Sequence, residues 1–153
     1  MRPLRLRSLL KDSLRIGAIL LVLYATGAVA NAMSELPFLV NAGDLVRTGF
    51  VFAGTSVAVL YVVVRSVALG SASGGDRSKM VDSSSFGREA VVVATPVVFW
   101  FALAGLATTL AGHSTLNAAV ETLVLASTRA GILTVLLYVL ARGIGVLQSP
   151  EVN

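Results

Sequence analysis

Apolar residues in this chain gather into four long runs, and polar residues into the short stretches between them. The runs cover residues 16–33, 45–69, 90–111 and 120–145. Each approaches the roughly 20 apolar residues that carry a helix across about 30 Å of hydrocarbon. The pattern predicts four transmembrane helices. Pro96 falls in the first turns of the third run, where packed neighbours can satisfy the carbonyl it frees. It predicts a kink, not a break. Residues 70–88, GSASGGDRSKMVDSSSFGR, are rich in Ser and Gly and read as a flexible linker. A spacer between two helical hairpins is the plain reading. A switch or docking role has only the serines in its favour.

Composition agrees with the pattern. Of 153 residues, 56% are apolar and 13% charged, and the mean hydropathy is +0.85. A soluble domain has about 45–50% apolar and about 25% charged residues. Too few charges remain here to cover a soluble core, so the class is an all-α integral membrane bundle, one domain over residues 1–153. There is no cysteine, hence no disulfide or thiolate chemistry.

Charge adds an orientation. The chain carries 12 Lys and Arg against 8 Asp and Glu, a formal +4. Nucleic-acid binding would need a basic patch interleaved with aromatics, whereas these cations flank apolar runs. Arg2, Arg5, Arg7, Lys11 and Arg15 precede the first run against Asp12 alone. Residues 34–44 hold Glu35 and Asp44 and no base. Arg77, Lys79 and Arg88 follow in the middle segment, with Arg65 at its leading edge. The third connection has only His113, and Arg142 stands near the end of the fourth run. Cationic and non-cationic segments alternate, which places both termini and the middle segment in the cytoplasm of a cell membrane.

A competing reading concerns the first run. Its basic start and the Ala28-Val29-Ala30 and Ala30-Asn31-Ala32 triplets resemble a secretory leader, whose removal would leave three spans. Small residues also suit a retained, closely packed helix, and the internal match described next favours retention.

At an offset of 77 residues, Ala53-Gly54, Leu60-Tyr61-Val62 and Arg65 meet Ala130-Gly131, Leu137-Tyr138-Val139 and Arg142. The same offset sets Lys11-Asp12 against Arg88-Glu89 and Asp44 against Glu121. Two tandem hairpins are the architecture it predicts, although coincidence between apolar helices is the alternative. Tyr61 and Tyr138, one turn inside Arg65 and Arg142, read as interface anchors.

The offset also isolates Arg129, which aligns with Phe52. It lies eight residues inside Glu121, about 12 Å along a helix. A charge at that depth costs a few kcal/mol or more unless it finds a partner, snorkels or meets water. A fourth helix shifted to 130–149 would free Arg129 but bury Arg142. Asn31, Thr108, Thr109 and Glu121 are its candidate company in an outward polar pocket, Glu121 too far along the same helix for direct contact, flanked by Ser127 and Thr128, with Glu35, Asp44 or His113 above.

Catalytic motifs are missing. The single histidine excludes HExxH sites, adjacent His113-Ser114 seldom hold a base–nucleophile geometry, and no nucleotide fingerprint is present. The sequence predicts no enzyme, metal or cofactor. It does offer packing rows: Ala104, Thr108 and Gly112; Gly105 and Thr109; Gly49 and Ala53; Ala126 and Ala130; Ser127 and Gly131. Small residues four apart let membrane helices approach closely. The expected function is a non-catalytic packing or accessory subunit, with lipid, a second copy or a membrane protein as partner. The alternative is a small oligomeric transporter or channel built around Arg129.

Overall fold

The computed structural model describes residues 6–33, 42–73, 83–111 and 117–147. Each stretch is one helix: α1 (Leu6–Met33), α2 (Ala42–Ser73), α3 (Ser83–Ala111) and α4 (Asn117–Leu147). All four are long and apolar enough to cross a membrane. α3 runs unbroken through Pro96, whose ring is buried.

The helices extend past the apolar runs, α1 by ten residues at its start. Its first turns are two-sided: Leu9, Asp12, Ser13 and Ile16 are buried, whereas Arg7, Lys11 and Arg15 are exposed. Outward charges cost a helix end little, yet they stop any search for apolar residues. Helix also reaches Ser73 and begins again at Ser83, inside the stretch read as a linker.

α1 packs on α2 and α4, α4 packs on all three others, and α3 touches α1 only lightly. Among the described residues α2 and α3 do not meet. The section is a rhombus with α1 and α4 on its short diagonal. The core lies there, built from Ile16, Leu20, Tyr24, Ala58, Val62, Trp100, Ala126, Ala130, Leu133 and Leu137.

Small residues set the close approaches. A Cβ on Gly17 would stand 2.0 Å from the Trp100 indole, and one on Gly70 would stand 2.8 Å from Ile144 Cβ. Ala126, Ala130 and Gly131 are buried, as is Ala104. Gly49, Ala53, Gly105, Thr108 and Thr109 face outward, with open space where a Cβ on either glycine would sit. Gly112 lies outside the described residues. Spacing alone does not distinguish the two outcomes: Ala126/Ala130 is buried and Gly105/Thr109 exposed at the same spacing, and the neighbours Ala104 and Gly105 differ by one position, or about 100° around the helix.

Candidate functional site

α2 turns one face toward α1 and α4, and that face carries a polar group every few turns. Arg47, Thr55, Tyr61 and Arg65 form three rungs, each bonded to another helix. Counted along α2, the upper rung at Arg47 and the middle rung at Thr55 are about 12 Å apart. The lower rung at Arg65 lies about 15 Å further on, next to the basic start of α1. The total, about 27 Å, is close to the thickness of bilayer hydrocarbon.

The lower rung is built on Asp12, 1% exposed. Tyr61 Oη donates to its Oδ1 at 2.8 Å, and Arg65 Nε donates to its Oδ2 at 2.8 Å. Arg15 stands 3.5 Å from Oδ1 with its side chain 62% exposed. Tyr61 and Arg65 are therefore more than the interface anchors the sequence suggested: they tie α2 to α1 through one carboxylate. In the sequence Asp12 sits among five cations and looks like a stray counter-charge.

The middle rung holds Arg129. Its Nη1 donates to Tyr24 Oη and to Thr55 Oγ1 at 2.8 Å, and its guanidinium carbon lies 5.4 Å from the centre of the Tyr24 ring. Thr55 spends its own proton on Val51 O, at 2.7 Å. The 2.7 Å contact between Tyr24 and Thr55 is thus donated by Tyr24. Two hydroxyl dipoles and a π-face oppose the charge, and every hydroxyl proton is assigned. This is how a guanidinium can be held inside a bundle by neutral groups.

Between the middle and lower rungs a neutral chain crosses from α3 to α4. Trp100 Nε1 donates to Ser13 Oγ at 2.7 Å, and Ser13 and Thr134 are 2.9 Å apart. Thr134 gives its proton to Ala130 O at 2.7 Å, so Ser13 must be the donor to Thr134. Ser127 Oγ, also buried, has no hydrogen-bond partner.

The upper rung is an exposed ion pair. Arg47 Nη2 lies 3.1 Å from Glu121 Oε1, with side chains 29% and 65% exposed. The residues expected around Arg129 are therefore distributed otherwise. Glu121 pairs with Arg47, and Thr108 and Thr109 donate to the carbonyls of Gly105 and Leu106 on their own helix. Thr108 and Glu121 do meet, with Asn117, Val120 and Val124, in an open depression of about 350 Å³. Arg129 is not among its lining residues. Asn31 is half-buried near the end of α1 and is engaged in an interaction. Glu35 and His113 lie outside the described residues, and Asp44 is exposed.

Tyr24 and Thr55 are the partners that sequence reasoning missed. One signal was present: counted from the helix ends, both fall near the depth of Arg129. Comparison with protein-family models, with curated proteins and with solved structures finds no match to this chain. Its reading rests on its own residues.

Proposed function

We propose that the chain is a non-catalytic subunit of a membrane assembly, working through its outward helix faces against a second copy or another membrane protein. One observation carries this reading. Apart from Ser127, which has no partner, and Ser66 and Thr122, which bond their own helices, the buried polar side chains between the helices are spent on one another, in the lower and middle rungs and the Trp100 chain, rather than gathered around a cleft. What is left for partners is a surface of Leu45, Phe52, Leu60, Val64, Val98 and Leu106, all exposed. That surface also holds the small-residue rows at Gly49/Ala53 and Gly105/Thr109, which suit close helix contact. Purification of the full chain in mild detergent tests the proposal. Stoichiometric recovery of a second membrane protein, or of a defined homo-oligomer, is expected; a monodisperse monomer with no partner refutes it.

The same proposal takes the first two and last two helices as tandem hairpins, with both termini in the cytoplasm of the cell membrane. The excess of Lys and Arg at one end supports that orientation. Residence of α1, as opposed to its removal as a leader, is supported by its contribution of Asp12, Ser13 and Tyr24 to buried bonds. The chain has no cysteine, so single cysteines introduced at residues 3 and 150 can be probed with a membrane-impermeant maleimide. Both are expected to react only after the cells are opened.

A second reading is favoured by Arg129. Its bonded partners are neutral, so the middle rung keeps a positive charge at a depth where charges mark solute paths. On this reading the chain oligomerises and conducts an anion past Arg129. Flux in liposomes that Arg129→Leu abolishes, with the fold unchanged, would favour it over the subunit reading.

A further inference from the structure

The outward face of α1 changes character along its length. Arg7, Lys11, Leu14, Ala18, Val22, Ala25 and Val29 follow one another at spacings of three or four, and all are exposed. That is one continuous stripe. Its upper two-thirds is apolar, and its foot is a ladder of cations, with Arg15 beside it.

Those cations are poorly compensated. Arg7 and Lys11 make no ion pair among the described residues. Arg15 meets the neutral Tyr61 hydroxyl, and its one carboxylate among the described residues is Asp12 at 3.5 Å, already engaged by Tyr61 and Arg65. Arg65 is 35% exposed and held in place by that bond. Arg7, Lys11, Arg15 and Arg65 against Asp12 leave an excess of three positive charges at one end of one helix pair. Like charges four apart on a helix repel and destabilise it, so this foot favours a bound anion.

We infer that the foot of α1 is a binding site for the headgroup of an anionic phospholipid, whose acyl chain lies along Leu14, Ala18 and Val22. The stripe matches both parts of such a molecule. The phosphate meets a basic ladder at the hydrocarbon boundary, where Lys and Arg clusters bind acidic lipids. The chain meets exposed apolar side chains over about 12 Å, from Leu14 to Val22, which fits within one leaflet. Asp12 holds Arg65 beside the site instead of leaving it to follow solvent. The site uses the outward stripe of α1 alone, apart from the faces of α2 and α3 offered to partners, and either leaflet can supply the lipid.

Native mass spectrometry of the full chain, purified in neutral detergent and titrated with phosphatidylglycerol or phosphatidylcholine, tests it. Phosphatidylglycerol should be retained at least tenfold more tightly. Neutralising a cation beside an acidic lipid costs about fivefold in affinity. The triple variant Arg7→Gln, Lys11→Gln, Arg15→Gln should therefore lose about a hundredfold and with it the preference, while Arg7→Lys with Arg15→Lys keeps it. Arg47→Gln, at the other end of the bundle, should leave it unchanged. Thermal unfolding of each variant separates lost binding from a lost fold, and the lysine variant carries the test if the triple variant unfolds. Equal retention of the two lipids overturns the site, as does a folded triple variant with undiminished preference. Displacement of the lipid by millimolar inorganic phosphate alone would mark a free-anion site and overturn the lipid assignment.

Discussion

The lower and middle rungs each hold an arginine at the seam of α1 and α2, Arg65 from α2 itself and Arg129 from α4, at two depths and in opposite company. Arg65 has a carboxylate and a hydroxyl beside it, and part of its side chain reaches the exterior. Arg129 has two hydroxyls and an aromatic ring, and no carboxylate among the described residues. The first arrangement neutralises a charge; the second only solvates one. A neutralised pair is costly to break from one side, because the survivor stays buried without its partner. A solvated charge can be removed together with its need for solvation. The two rungs should therefore answer differently to the loss of one member.

The largest effect is expected at the lower rung. Asp12→Ala strands Arg65 and Tyr61 and should lower stability by about 2–3 kcal/mol, less than the loss of a partner costs a fully buried pair because Arg65 is partly exposed. Reversible unfolding in mixed micelles would measure this, and a loss below about 0.5 kcal/mol would remove the contrast between the rungs. Next comes the middle rung. Tyr24→Phe should cost about 1.5–2 kcal/mol while Arg129 is present, as a hydrogen bond to a charge does. In an Arg129→Leu background, where Tyr24 still donates to Thr55, the cost should fall to about 0.6 kcal/mol, the average for a neutral bond between membrane helices. The double-mutant cycle thus predicts a coupling near 1 kcal/mol, and additive losses would show that Tyr24 does not solvate the arginine. The smallest effect belongs to the upper rung. Glu121→Gln should shift stability by less than about 0.5 kcal/mol and less still in high salt, because exposed pairs are weak and screened.

The same contrast explains what could be read from the residues alone. Four helices were legible because hydropathy over some 20 residues is a strong signal. Arg129 was legible because a charge within such a run is rare. Its partners were not, since Tyr24 and Thr55 lie 105 and 74 residues away, and periodicity on one helix says nothing of which neighbour faces it. Asn31, Thr108 and Thr109 had suitable chemistry, but they stand within about one turn of the ends of α1 and α3 whereas Arg129 lies over three turns inside α4, and Thr108 and Thr109 sit on α3 while Arg129 turns to α1 and α2. The lower rung was hidden for another reason. A run of basic residues reads as a solvated flank, and only the three-dimensional pairing singles out Asp12 within it. The glycines divide in the same way: Gly17 and Gly70 meet neighbours, Gly49 and Gly105 meet none, and no local pattern separates them.

Trp100 has a use apart from holding α3 to α1. It is the only tryptophan in the chain, and its indole is 3% exposed, bonded through Nε1 and set against Gly17. Its ultraviolet emission therefore comes from one known place, the junction of α1, α3 and α4. Any partner, lipid or voltage that slides α1 along α4 must change the polarity around that ring. The molecule carries its own optical gauge of helix packing, readable in a bilayer without a label.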